Sequence, residues 1–493
     1  MRRRVRIGLL AAVAWLLVAA GSASADTPVG IGVGASPTGQ ALAPGFLGVS
    51  LEYGALHLYT GRDPLAVNPV LVALLRGLAP GQAPVLRIGG DSADATWWPL
   101  RGVIPPPGVK YALTPGWLRT TQALAGATGA QLILDLNMAA GRPALAAAEA
   151  RALLQGIGRP YLQAFELGNE PDLYGAFAWA RDRRGRIYFA RGRRYDLSAY
   201  LSDFARWRAA LPSAPLAGPA FAQLSWLSGL GRLLSREPAL SLVTLHRYPL
   251  RAGVTDKHSS IYPSIANLLS DRAASGLAQQ LAPYVAATHA RGLTFRLDEL
   301  NSAANSGQPD VSNTFASALW MLDTLFNLAG VGVDGVNVHS LPGAAYELFS
   351  FSRRQGAWSA FVHPAYYAML LFAQAFPPGA QLLATGAPSG PLKAWATRAP
   401  DGHTRVVLIN KDTAAGYQVQ LQVPGAELAG QASLQWLQAP GVGATSGVTL
   451  GGQSFGTGTT TGTLAPPQTQ PVLSMAGAYT IAVPPASAVL LTQ

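Results

Sequence analysis

Cysteine is absent from the 493 residues, which excludes disulfides, a thiol nucleophile and thiolate metal sites. Charge is scarce: 12% of residues are Asp, Glu, Lys or Arg, against 49% that are hydrophobic. That balance excludes a disordered chain and leaves material for a core large enough to hold an exported protein together without disulfides. Beyond the N-terminus no apolar run is long enough to cross a membrane, because the Ala-rich stretches carry polar residues at helical spacing. Histidines at metalloprotease spacing do not occur, and neither does a recognisable nucleic-acid-binding motif. The sequence therefore predicts no metal, no cofactor and no nucleic acid as partner.

At the N-terminus, Arg2, Arg3, Arg4 and Arg6 precede an apolar stretch over residues 8–20, and Ala23-Ser24-Ala25 follows it. Basic residues, a short apolar run and a small-residue site together predict a secretory signal over 1–25, cleaved after Ala25. A secreted or periplasmic protein with no stable membrane anchor after cleavage is expected. The alternative is an uncleaved anchor, for which the run is short. Removing the four leader arginines leaves 32 basic against 25 acidic residues, a net of about +7, which suits an acidic partner without selecting one.

Glycine (54) and proline (37) are plentiful and point to many turns. From 45 to 365 one rhythm repeats eight times: a β-type run, a turn, then a helical stretch. The runs lie at 45–54, 84–90, 131–138, 163–171, 215–222, 242–249, 294–301 and 335–340, with helical patterns such as 69–79, 196–211 and 313–330 between them. Such alternation predicts an α/β fold, a parallel (β/α)8 TIM barrel over 45–376. The fifth run is poorly suited to a strand, since it holds two prolines and a glycine. After 376 helical periodicity gives way to short β-type runs, predicting an appended β-sandwich domain over 377–493 with a long Gly/Thr/Ser-rich loop at 440–463. The segment 26–44 is expected to add a strand to that sandwich.

Barrels of this kind carry their chemistry at the C-terminal ends of the strands. Polar residues gather there: Glu52, Asp91, Asn137, Asn169, Glu170, His246, Tyr248, Glu299, Asn301 and His339. Within Leu167-Gly168-Asn169-Glu170-Pro171 a carboxyl group can protonate the leaving oxygen of a glycosidic bond while Asn169 bonds a sugar 2-hydroxyl. The plain alternative is a strand-to-loop turn with a solvated glutamate. Glu299, at the end of the seventh run, can face Glu170 across a sugar ring, and a separation near 5 Å would make it a nucleophile in a retaining reaction. Its alternative is an ion-pair group of Arg296, Asp298 and Glu299 at the rim. Strict alternation puts Asp298 on the opposite side of the strand from Glu299, hence in a structural role. His246, Tyr248 and His339 are expected to position the nucleophile and floor the site, or else to be satisfied structural groups; Trp97 and Trp98 read as core, or else as platforms that stack on a sugar face. Arg181, Arg183, Arg184, Arg186, Arg191, Arg193 and Arg194 follow the fourth run, either as a solvated loop or as a landing surface for an anionic polysaccharide.

At these residues the chain resembles glycoside hydrolase family 79, the β-glucuronidase and heparanase-like group. Gly48-Val49-Ser50-Leu51-Glu52-Tyr53 looks like its first barrel strand, and Leu86-Arg87-Ile88-Gly89-Gly90-Asp91-Ser92-Ala93-Asp94 like its second. The resemblance implies a (β/α)8 barrel with a β-sandwich, Glu170 as acid/base and Glu299 as nucleophile, and a substrate that is a glucuronic-acid-containing glycan or glycoside. It also implies that a uronate carboxylate is held by backbone N–H groups of Gly343 and Ala344 and by Tyr346, within Pro342-Gly343-Ala344-Ala345-Tyr346. This loop departs from the animal heparanase pattern, and the arginine-rich segment is no family hallmark. Two other readings stay open: the same mechanism on a neutral glycoside, and a secreted glycan-binding protein without catalysis.

Overall fold

A computed structural model describes residues 27–182, 184–386 and 390–493; the secretory signal expected over 1–25, and Arg183 of the arginine-rich segment, lie outside the described residues. All eight β-type runs form strands: β2 (Leu47–Glu52), β3 (Val85–Gly89), β4 (Gln131–Leu136), β5 (Leu162–Leu167), β6 (Leu216–Phe221), β7 (Leu240–Arg247), β8 (Thr294–Leu300) and β9 (Gly335–Ser340), preceded by β1 (Thr27–Pro37). They close a parallel barrel in the order β6-β7-β8-β9-β2-β3-β4-β5. Both sides of each strand are covered, so the runs read as nearly continuous apolar segments. The proline-bearing β6 is a full member, paired with β5 and β7, and its register slips at Leu216/Ala217 and Pro219/Phe221.

Helices complete the repeat. Asn68 caps Pro69–Gly77 and Thr114 caps Pro115–Thr128, each with proline in the first turn, where no N–H is missed. Phe315–Gly330 and Pro364–Ala375 are buried along almost their whole length because they lie between the barrel and the second domain.

That domain is a ten-stranded sheet folded on itself. Its strands are β1, β10 (Gln381–Thr385), β11 (Leu392–Arg398), β12 (Thr404–Asn410), β13 (Tyr417–Gln422), β14 (Gln431–Gln438), β15 (Thr449–Leu450), β16 (Gln470–Met475), β17 (Ala478–Val483) and β18 (Ser487–Thr492). β1 runs parallel to β13 and antiparallel to β10, and β14 pairs with both β16 and β18. One side encloses an apolar core of Ile31, Leu408, Val419, Leu421, Ile481 and Leu491. The other continues the barrel's apolar shell through Val407, Ile409, Leu437 and Leu490. Across this joint Trp395 stacks on Phe326 at 5.5 Å, and buried Lys411 pairs with buried Asp323 at 2.7 Å. The 440–463 stretch is an ordered strap: Phe315 and Ala316 donate to Ala444 and Val442, and Thr459 bridges to Ala360.

Candidate active site

At the end of β5 the chain turns sharply. Gly168 has φ +80, and a Cβ there would collide with the Tyr174 hydroxyl, so no other residue fits. Glu170 follows with φ 49, a left-handed conformation that strains a non-glycine residue. Its N–H donates to Ala220 O at 3.1 Å and its carbonyl accepts from Leu173 N at 2.8 Å, so β6 and the next turn hold the strained unit. The side chain stays partly exposed, with Oε1 3.1 Å from His246 Nδ1.

Glu299 rises from β8 on the facing side. Its Oε1 accepts from the Tyr248 hydroxyl at 2.7 Å and its Oε2 from Arg87 Nη1 at 2.6 Å. His339 Nδ1 and His246 Nδ1 lie 3.8 and 3.9 Å from Oε2. Burial alone would raise the pKa of this carboxyl; the charges of His339, His246 and Arg87 and the Tyr248 bond outweigh it and hold the group far below its ordinary value. Donor atoms of Glu170, His246 and Glu299 all lie within 4.8 Å of one another.

Beneath this pair Arg87, fully buried, faces four carboxylates: Glu299 at 2.6 Å, Glu166 at 2.8 Å, Asp135 at 3.2 Å and Asp298 at 3.6 Å. One cation cannot offset four buried anions, so some stay protonated. Burial pushes Asp298 and Asp135 well above the carboxylate range, Glu166 adding to the rise at Asp298. Glu166 is pulled down despite its burial, chiefly by Arg87. Neither carboxyl oxygen of Asp298 has a hydrogen-bond partner among the described residues, in keeping with an uncharged acid.

Asp298 corrects the alternation argument. Pairing runs Leu245↔Leu297 and then His246↔Glu299, so one residue is skipped in β8. This bulge turns Asp298 and Glu299 alike toward the barrel axis, where both meet Arg87. Arg296 joins neither: its guanidinium bonds Asn337 Oδ1 and the carbonyls of Gly45 and Phe46.

Glu52 closes another side of the mouth. It accepts from the backbone N–H groups of Asp91 (3.1 Å) and Ser92 (2.8 Å) and from the Ser92 hydroxyl, and lies 3.8 Å from His339 Nε2. Gly90, at φ +76, passes so close that any Cβ would strike the Glu52 carboxyl. Burial and the nearby Asp91 raise the Glu52 pKa to about 8, and burial and Glu170 raise that of Asp91 to about 6. Asn169 donates to Asp91 Oδ1 and accepts from Arg87 Nη2, both at 3.1 Å. Tyr346 packs against Tyr248 and His339 with ring centroids 6.1 and 5.8 Å apart. Burial, with the charge of Glu299, keeps its phenol protonated.

Three expected contacts are not available for substrate. Asn137 is buried, its amide donating to Asp94 O and Thr96 O and its oxygen accepting from Ala140 N, so it braces two loops. The backbone donors of the 342–346 loop are also engaged: Gly343 N bonds Glu347 Oε2 at 3.2 Å, Ala344 N bonds Leu341 O at 3.0 Å and Ala345 N bonds Ser306 O at 2.8 Å. Gly343 and Ala344 thus close their own loop, leaving Tyr346 as its only expected group facing the site.

Sequence reasoning missed Arg87, Glu166, Asp135 and Asp94, the last a node for Met138 N, Ala139 N, Asn169 N and the Tyr174 hydroxyl. One signal existed: each is an ionisable residue within or just after an apolar barrel run. A cation at the Glu170, His246 and Glu299 donors would meet the fixed guanidinium of Arg87, which already holds Glu299.

Residues 394–490 match the family model described as Glycosyl hydrolase family 79 C-terminal beta domain. No curated protein matches the chain. Among solved structures, a 4-O-α-L-rhamnosyl-β-D-glucuronidase from Fusarium oxysporum 12S, in complex with Rha-GlcA, aligns at TM-score 0.74 and 21% identity over 94% of this chain and 100% of that one. A GH51 arabinofuranosidase from Xanthomonas axonopodis pv. citri aligns at TM-score 0.66 and 17% identity over 95% and 100%. A GH30 endoxylanase from Clostridium papyrosolvens C71 aligns at TM-score 0.53 and 13% identity over 94% and 99%. At these identities the likeness is one of fold, a barrel with a β domain. The resemblance read in the sequence is thus met at its C-terminal part by the family model itself: the chain carries the C-terminal β domain of glycosyl hydrolase family 79 behind a barrel of the fold these glycosidases share.

Proposed function

We propose that this chain is a secreted retaining glycoside hydrolase that cleaves β-glucuronosides by double displacement. The observation that carries the reading is the pair itself: carboxylate oxygens of Glu170 and Glu299 within 4.8 Å of one another, the spacing of retaining rather than inverting glycosidases. Glu299 is the nucleophile, kept anionic by Arg87 and Tyr248 and aimed at the anomeric carbon. Glu170 gives its proton to the glycosidic oxygen as the bond to the leaving group breaks and a glycosyl ester forms on Glu299. It then takes a proton from the water that displaces the ester. Glu52, Asp91, Asn169 and His339 line the same mouth and bind sugar hydroxyls; His246 orients Glu170, and Tyr346 offers a phenol to the uronate. The family 79 β domain and the glucuronidase neighbour support the substrate class. The basic and apolar N-terminal pattern supports export.

Following hydrolysis of 4-nitrophenyl β-glucuronide by ¹H NMR tests this: β-glucuronic acid forms first and then mutarotates. First release of the α anomer would overturn retention.

One observation favours a second reading, a neutral β-glycoside as substrate: the backbone donors of Gly343 and Ala344 are engaged within the loop. A panel of aryl β-glycosides decides, since a glucuronidase prefers the glucuronide and loses that preference in Tyr346→Phe.

A further inference from the structure

Beside the catalytic mouth lies a cavity of about 330 Å³, and its lining differs in chemistry from that of the mouth. The mouth is acidic; among the described residues lining the cavity there is no carboxylate at all. Lys110, Arg62 and His57 line it, with the aromatic rings of Tyr111 and Trp117. Lys110 and Arg62 are exposed, and neither side chain is held by an ion pair or hydrogen bond to another described residue. Trp117 stacks on Tyr53 at 5.1 Å and 13°, which fixes the plane of its indole. Its Nε1–H is buried and has no acceptor among the described residues. The 14-residue helix Pro115–Thr128 begins at this wall, so its positive end adds to the same field.

The position is as informative as the composition. Tyr53 and Gly54 of the lining directly follow Glu52, the mouth residue at the end of β2, and Thr96 lies two residues beyond Asp94. At about 3.8 Å per residue, Gly54 lies within roughly 8 Å of Glu52 along the chain. The lining residues thus lie on the segments that follow the C-terminal ends of β2 and β3, the face of the barrel that carries the mouth.

We propose that this cavity is a second sugar subsite that binds an anionic residue of the substrate chain, a sugar bearing a carboxylate or a sulfate ester, by pairing it with Lys110 and Arg62 while the ring rests among Tyr111 and Trp117. The proposal rests on the reading of the mouth as a glycosidase site and adds that the substrate extends beyond the sugar that reacts. The cations set specificity by charge, since a neutral sugar brings no anion to pair with them.

The test uses the full chain carrying Glu299→Gln, so that binding is measured without turnover. Calorimetry compares a hyaluronan hexasaccharide (carboxylates only), a heparan sulfate hexasaccharide (carboxylates and sulfates) and a neutral chitin hexasaccharide. At least one acidic oligosaccharide is expected to bind about tenfold more weakly after Lys110→Ala with Arg62→Ala. Loss confined to the sulfated probe assigns the subsite to sulfate; loss for both assigns it to the carboxylate. Unchanged affinity of both acidic probes in the Lys110/Arg62 variant, or an equal loss for the neutral one, overturns the proposal. In the active parent the Lys110/Arg62 variant turns over 4-nitrophenyl β-glucuronide as the unsubstituted protein does. If the parent itself leaves that glucuronide intact while the hexasaccharide still binds through Lys110, the catalytic reading fails and the subsite stands.

Discussion

The barrel and the β-sandwich bury their interiors by opposite means. The sandwich core is aliphatic, built from residues such as Val419, Leu421 and Ile481 with Tyr479 among them. The barrel axis instead holds Arg87, Asp135, Glu166 and Asp298, all with no solvent exposure. Apolar burial favours folding by about 25 cal/mol per Å² whatever the function, whereas buried ions cost free energy unless each is paired. The contrast marks where stability was given up for geometry: the buried ions fix Glu299 from below, and the sandwich with the shared helical layer carries the stability that this arrangement spends.

The sharpest way to break the comparison is to change the mouth without disturbing either core. Glu299→Gln or Glu170→Gln should lower turnover of an aryl β-glucuronide by roughly three orders of magnitude or more, about 4 kcal/mol of barrier, with thermal unfolding nearly unchanged. Wild-type-like rates in a folded variant would remove these residues from the mechanism. Next in size, Arg87→Met should cost about 3–4 kcal/mol in denaturant unfolding, because Glu166 and Glu299 lose their cation while still buried. A loss under 1 kcal/mol would mean that the axial acids are all neutral. In the sandwich, Leu421→Ala should cost about 3 kcal/mol through the cavity it leaves, while kcat of the folded fraction stays constant. A fall in kcat would show that the two domains are coupled in catalysis.

The last effect, small within any one pH unit, is a slope with pH. Glu52 has its pKa raised from 4.5 to about 8 in the folded state, so over that interval the folded protein binds more protons than the unfolded one. Its contribution to stability is therefore full below about 4.5 and is lost as pH rises toward 8, by at most about 1.4 kcal/mol per pH unit. Urea unfolding of Glu52→Gln should lack this downward slope. Parallel pH profiles for variant and parent would place Glu52 in an ordinary, solvated environment.

Legibility followed the same divide. The eight strand runs were plain because buried parallel strands are continuously apolar, and even β6 formed since its neighbours on both sides supplied pairing partners. Glu170 and Glu299 stood out because they end such runs. Arg87 did not, since one arginine in an apolar segment gives no sign of facing inward rather than reaching for solvent. The direction of Asp298 was hidden because a single bulged residue undoes the two-residue period. The loop after β9 was misjudged for want of Glu347, only four residues past Gly343, whose carboxylate takes the donor that the resemblance had offered to substrate.

The central claim is that Glu299 attacks the sugar held between the two glutamates. Trapping the intermediate with a mechanism-based 2-fluoro-glucuronide and sequencing the labelled peptide by mass spectrometry tests it most directly. The account predicts one glucuronyl adduct, on Glu299, and none in Glu299→Gln. A label on another residue, or none in protein that turns over an aryl glucuronide, would contradict it.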